Sequence, residues 1–380
     1  MPSLFAGKRE SLGAIFKHKA KTTDEGDLSN SALLSSVRVS RAKAMMTPFV
    51  MRRKKYQVLK DLPKKSNVVM YCDMNSAQKD IYSNLLASAR NAIEARAEGR
   101  KLAKKEQQSA NVLMQLRKAA IHPMLFRRLY TSEMLKSMTK DVMKDERHCK
   151  ANAEYVLQDM EYMSDFELHK LALDIPCAHR WAMSNDQWME SGKVDRLASV
   201  LTQMKAKGDR VLLFSQFTMV LDILESVLST LSLTYLRMDG STKVDTRQDM
   251  IDQFYDEQDI TVFLLSTKAG GFGINLACAN KVIIFDGSFN PHDDRQAEDR
   301  AHRVGQSREV EVVRLVTKGT IEEQILSLAN TKLALDHSVS GLDDSVAQEQ
   351  GQQLVASMLL RHSPTHEDHV DPNETNHESV

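Results

Sequence analysis

Two textures of hydrophobic and polar positions divide the chain. From about Ser76 to Ile121, apolar residues recur three and four positions apart in a stretch rich in Ala, Leu, Lys, Glu and Gln with no internal proline, which predicts a long helix. A mainly helical segment is expected from about Ser132 to Met189, interrupted by Pro176. From Ser191 short β-rich apolar runs appear: VLLF (211–214), LTYLR (233–237), TVFLL (261–265), KVIIF (281–285) and VEVVRLV (310–316). Helical patterns lie between and after them, at about 217–231, 244–255, 292–303 and 319–334. Strands alternating with helices predict an α/β fold, a parallel sheet with helices on both faces. Continuous Val, Ile, Leu and Phe runs are what strands buried on both faces require. In such a sheet, functional groups belong in the loops beyond the strands' carboxyl ends.

Before this region, Arg41 to Pro63 reads as a helix, a break at Thr47-Pro48, and a second helix. Beyond it, the tail after about Leu342 is rich in acidic residues, His and Asn, and is expected to be largely disordered, apart from the run LVASMLL (354–360) as a docking helix.

Charge sharpens this division. The formal net charge is zero, yet Met1–Ser66 holds fifteen Lys and Arg against five Asp and Glu, whereas Asp336–Val380 holds one basic residue against nine acidic. A basic beginning suits a polyanion, although a solvated charged surface gives the same composition. Arg96, Arg100, Lys101, Lys104 and Lys105 add a basic surface on the expected long helix. No run reaches the roughly 18 apolar residues that span a bilayer, so no membrane association is expected. Four cysteines far apart in sequence do not suggest a disulfide framework. His148-Cys149 and Cys177-x-His179 lack the knuckle spacing of a zinc site, so no metal is expected there.

Four blocks carry chemistry. In D-R-Q-A-E-D-R-A-H-R-V-G-Q (294–306), a helix would place Gln296, Arg300 and Arg303 on one side. Two planar, permanently charged guanidinium forks there could reach a nucleotide γ-phosphate across a cleft. A solvent-facing helix with Glu–Arg pairs is the plainer alternative. In S-T-K-A-G-G-F-G-I-N-L (266–276), Gly270, Gly271 and Gly273 allow close backbone approach, and Ser266 and Thr267 add hydroxyl donors for a phosphate. V-L-L-F-S-Q-F (211–217) ends a strand on Ser215-Gln216, and Y-L-R-M-D-G-S-T (235–242) ends another on a turn at Gly240.

In this order and spacing the blocks resemble motifs IV, IVa, V and VI of the C-terminal helicase lobe of Swi/Snf-type chromatin-remodelling ATPases. T-P-F-V-M-R-R-K-K (47–55) and D-L-P-K-K (61–65) resemble the end of that family's first lobe. M-Q-L-R-K-A-A-I-H-P (114–123) and S-G-K-V-D-R-L (191–197) resemble the segments leading into the second. D-M-E-Y-M-S-D-F-E-L-H (159–169) is similar to the branch containing the SMARCAD and Fun remodellers. Phe272 stands where the family usually has Leu, and Phe289 where Trp often precedes Asn-Pro.

The resemblance implies two RecA-like lobes with ATP and Mg²⁺ between them. It implies that Arg300 and Arg303 are arginine fingers beside Gln296, with Gly271 and Gly273 at the nucleotide. It implies double-stranded DNA contacts at Ser215, Gln216, Gly240, Ser266, Thr267, Lys268 and Gly270, nucleosomes or histones as partners, and a nuclear location. The expected division is a first-lobe remnant (1–66), a helical protrusion and linker (67–190), the second RecA-like lobe (191–335) and an acidic tail (336–380). No G-x-x-x-x-G-K-[ST] loop occurs, and Asp24-Glu25-Gly26 has no apolar strand before it. The chain alone is therefore expected not to turn over ATP. A non-catalytic DNA- or partner-binding module and a DNA-repair translocase are the alternative functions.

Overall fold

The computed structural model describes residues 62–97, 109–269 and 273–338. The two helices expected between Arg41 and Pro63, the Asp24–Gly26 segment, the basic cluster at residues 100–105, Phe272 and the acidic tail with its LVASMLL run lie outside them.

Strands form where the apolar runs fall. β1 (Lys65–Cys72), β2 (Val211–Ser215), β3 (Tyr235–Met238), β4 (Val262–Ser266), β5 (Lys281–Ile284) and β6 (Val310–Thr317) make one all-parallel sheet. Their order is β1-β6-β5-β2-β4-β3. Every residue of β2 and β4 is buried, because helices cover both faces. Alternation decides the side. Leu213, Leu264, Ile283 and Val313 pack on one face against α6 (Gly192–Ala206) and α7 (Thr218–Thr230), which follow five helices described below. Leu212, Phe214, Phe263, Leu265, Val282 and Val312 pack on the other, with Ile251 and Phe254 of α8 (Val244–Asp256) and Ala297 of α9 (Pro291–Glu298). This is the α/β, RecA-like architecture expected from the alternating pattern.

The strand β1 departs from expectation. Residues from 67 onward were expected to be helical, and a domain boundary was expected between 66 and 67. Instead β1 crosses that point and pairs with β6 over eight residues, Lys65 with Val310 through Cys72 with Thr317. The run V-V-M-Y-C carries the β-branched and aromatic residues a strand prefers. Only one face of this edge strand meets the core, which makes its apolar signal short.

The helical part has cores of its own. The long helix expected from Ser76 is described as α1 (Ser76–Ala97) and α2 (Ser109–Ile121), with residues 98–108 between them outside the described set. Tyr82, Leu116, Ala119 and Ala120 pack with Ile321 and Ile325 of α10 (Ile321–Ser338). A separate cluster holds α3 (Ser132–Val142), α4 (Ala153–Tyr162) and α5 (Asp165–Asp174) together through Leu135, Met138, Met160, Leu168 and Ile175. Pro176 opens a 3-10 turn, Pro176–Trp181, as its missing N–H and fixed φ allow.

The linker is pinned where α6 begins. A Cβ at Gly192 would stand 1.7 Å from the carbonyl oxygen of Asp73, just past β1. Gly192→Ala is therefore expected to lower stability by at least about 2 kcal/mol, since backbone must shift to admit the methyl group. Urea unfolding measures this, and an unchanged midpoint contradicts the packing described.

Candidate functional site

The neighbours β2 and β5 send the chain in opposite directions, from β2 to β3 on one side and from β5 to β6 on the other. Crevices form at the carboxyl ends of strands so arranged. At this point Gln216 donates its N–H to the Asp286 carboxylate (3.0 Å) and its side-chain amide to the Asp286 carbonyl (3.3 Å). The Ser215 hydroxyl also bonds Asp286, and burial pushes that carboxyl up to about 6 against the pull of Arg117 and Lys193. Arg117 of α2 lies between two rings, 5.1 Å from Phe217 and 5.0 Å from Phe289, and donates to the Gly287 carbonyl at 2.9 Å. The aromatic at 289 thus serves as a stacking plate for a buried cation.

Beneath lies a buried ion pair. The Nζ of Lys193, fully shielded from solvent, meets Glu322 Oε1 at 2.6 Å and the Phe285 carbonyl at 2.7 Å. The other Glu322 oxygen accepts the Thr317 N–H at 2.8 Å. The linker helix α6, the end of β5, the end of β6 and α10 are therefore joined at one point.

The arginine block folds differently from the helix expected over 292–303. The helix α9 ends at Glu298, with Asp299 as its cap, so Gln296, Arg300 and Arg303 do not share one continuous helix. A tight turn follows, held by Arg300 N–H to Ala297 and Arg303 N–H to Ala301. The reason is two anchors. Glu298, nearly solvent-free, takes an ion pair from Lys65 of β1 at 2.7 Å and a second from Arg314 of β6. Beyond the turn, Gly305 adopts φ +97, and the Gln306 amide donates to Ala279 (2.7 Å) and Ala301 (3.1 Å) carbonyls. The His302 ring contacts the Pro63 carbonyl at 2.9 Å. The plainer alternative, Glu–Arg pairs along a solvent-facing helix, does not describe Glu298, which pairs across the sheet.

Both arginines hold the glycine loop. The Arg300 carbonyl accepts the Leu276 N–H at 3.1 Å, and Arg303 Nη1 donates to the Gly273 carbonyl at 3.1 Å. Gly273 has φ +70, open to glycine at little strain. Burial, and then the neighbouring charge of Arg303, hold the Arg300 guanidinium below its ordinary pKa. Arg303 is exposed, Arg300 buried, and Gln296 exposed on α9.

The remaining expected residues separate by exposure. Ser215, Ser266 and Thr267 are buried; the Ser266 hydroxyl accepts the Ala269 N–H at 3.2 Å, and Thr267 donates its N–H to the Ser215 carbonyl at 3.0 Å. Lys268 and Gly240 are exposed and Gln216 half-exposed. Gly270 and Gly271 lie outside the described residues. Motif reasoning covered the segments holding Arg117, Lys193 and Glu298 without giving those residues a role, and did not reach Asp286 and Glu322. A buried lysine and two buried glutamates show no distinctive spacing in the sequence, because their partners are distant along the chain. Among the described residues no group of three His, Cys, Asp or Glu is placed to hold a metal ion, and no helix is long and apolar enough to cross a membrane.

Residues 192–305 match the family model of the helicase conserved C-terminal domain, and residues 15–125 match that of the SNF2-related domain. ATP-dependent helicase fft2 of Schizosaccharomyces pombe is 54% identical over 94% of this chain and 28% of its own length. ATP-dependent helicase FUN30 of Saccharomyces cerevisiae is 48% identical over 94% of this chain and 32% of its own length. A crystal structure of the C-terminal part of the Fun30 ATPase domain superposes with a TM-score of 0.71 at 46% identity, covering 78% of this chain and 99% of that one. The chain belongs to the SNF2 family, in the branch of these Fun30-type helicases. It spans 28% and 32% of the length of these two curated relatives.

The Asp294 carboxylate, buried under the α9 amino end, accepts the Ser288 N–H, and desolvation raises its pKa from 3.8 to about 6. A carboxyl whose folded pKa is raised destabilises the fold when ionised. That cost is absent below the unfolded value and complete above the folded one. Asp294→Asn should therefore stabilise the chain by up to about 3 kcal/mol above pH 6, less what the altered hydrogen bond loses. The gain should shrink to nothing near pH 4. Thermal melts across pH 4–8 check this; a gain that is constant across the range contradicts it.

Proposed function

We propose that this chain is the second-lobe part of an ATP-dependent DNA translocase that acts on chromatin, with Arg300 and Arg303 as the groups that meet the nucleotide. One observation carries the proposal: Arg300 and Arg303 leave a single tight turn clamped from both sides, by the Glu298 ion pairs before it and the Gln306 amide after it. A like-charge pair of this kind fits an anion, and the triphosphate of ATP is one. The nucleotide supplies a phosphoryl group whose leaving charge needs stabilising. Arginine forks supply that charge without a proton transfer.

Magnesium is different. The described residues offer it no group of three ligands, so no role in holding the metal is assigned to them. Nor does the sequence contain a phosphate-cradling glycine-lysine loop.

The DNA contacts divide by burial. Gln216, Gly240 and Lys268 are exposed enough to meet a phosphate backbone. Ser215, Ser266 and Thr267 are buried and act as positioning residues, fixing the loops from within. Backbone tracking of this kind needs little base readout. A nuclear location and nucleosomal substrates belong to the same proposal. Relatives named ATP-dependent helicases support it over a non-catalytic module.

Two outcomes are expected. The purified chain with duplex DNA should release no phosphate from ATP above background, and robust Arg303-dependent turnover would overturn this. In a protein carrying both lobes, Arg303→Ala should lower kcat about 10³-fold while leaving ATP affinity nearly unchanged. A loss of ATP affinity with kcat unchanged would instead make Arg303 a ground-state binding residue.

A further inference from the structure

Residues 159–169 are mostly explained by packing. Met160, Phe166, Leu168 and His169 are buried. Ser164 and Glu167 form a reciprocal cap at the start of α5. Asp165 gathers the N–H groups of Arg128, Leu129 and Tyr130. Three residues have no such role: Asp159, Glu161 and Tyr162 face solvent, and Tyr162 is 92% exposed.

They belong to a wider face of α4. Val156, Leu157, Met160 and Met163 point its inner side at the protrusion core. On the outer side, Tyr155, Asp159 and Tyr162 stand at spacings of four and three, one above another. Tyr155 is 66% exposed. Glu154, Gln158 and Glu161 flank the stripe, and α4 carries three acidic residues and no basic one.

Charge bookkeeping around the helix is one-sided. Lys144 and Arg180 pair with Asp141, Arg147 with Asp145 and Asp174, and Lys170 with Asp222. Among the described residues no ion pair joins Glu154, Asp159 or Glu161. Several cations of this region are thus taken, and the carboxylates around the two open rings have no ion-pair partner among the described residues.

We infer that the outer face of α4 is a docking surface for a lysine- and arginine-rich peptide segment of a protein partner. Exposed tyrosine rings offer flat, stiff contact area and a π-face for a cation, and carboxylates one turn away steer and hold the same charge. A phosphate backbone is disfavoured there by the same carboxylates. This surface owes nothing to the arginine turn or the nucleotide, so it stands or falls separately from the proposed activity.

The test uses the whole chain and a fluorescein-labelled twelve-residue Lys/Arg-rich peptide, read by fluorescence anisotropy, with an uncharged peptide of equal length beside it. Tyr155→Ser with Tyr162→Ser should weaken binding about tenfold, the combined loss expected for two cation–ring contacts. Glu154→Gln, Asp159→Asn and Glu161→Gln together should weaken it similarly and flatten its salt dependence. Neutralising two exposed acids of α8, Asp245→Asn with Asp249→Asn, should leave affinity unchanged. All variants alter exposed positions, and unchanged thermal melts establish that they fold. Equal binding by wild type and the tyrosine variant overturns the inference. So does an equal loss in the α8 control, equal binding of the uncharged peptide, or a parallel loss of duplex DNA binding.

Discussion

A buried glutamate sets the geometry on which the candidate site depends. Glu298 ends α9 where the sheet's edge begins, and its two oxygens are claimed by cations from different strands, Lys65 of β1 and Arg314 of β6. Removing such a carboxylate from water is costly, and its attraction to two cations at short range offsets that cost only in this geometry. A helix running on past this point would carry Gln306 away from the Ala279 and Ala301 carbonyls that hold it. The chain turns instead, and Arg300 and Arg303 leave the turn toward the glycine loop rather than from a helical stripe.

A second buried carboxylate does for the linker what Glu298 does for the turn. Glu322 holds Lys193, and through it α6 is registered against the carboxyl ends of β5 and β6. The polar ends of β2 and β5 meet one residue away, at Asp286. The loops expected to face DNA and the turn expected to face the nucleotide are thus parts of one hydrogen-bonded platform.

The alternation of apolar runs made the second lobe legible from residues alone, because strands buried on both faces leave little room for polar residues. All five runs expected after Ser191 became strands, with ends shifted by one or two residues. The edge strand β1 was missed because only one of its faces is buried. Arg300 and Arg303 were legible as a pair, since arginines near Gln and Val-Gly-Gln form a local pattern. Their backbone was not, since the forces that end α9 come from Lys65 and Arg314, distant in sequence. Burial of Ser215, Ser266 and Thr267 was equally hidden, because a serine at a strand end reads the same whether its hydroxyl faces inward or out.

Amide hydrogen exchange across residues 299–306 in Glu298→Gln, compared with the unaltered chain, tests most directly whether the carboxylate sets the arginine turn. The substitution keeps the side chain's size and removes its charge. Faster exchange confined to the amides of Arg300, Ala301, His302, Arg303 and Gln306, with β2 and β4 unchanged, is the predicted result. Unaltered protection across that turn would contradict the account.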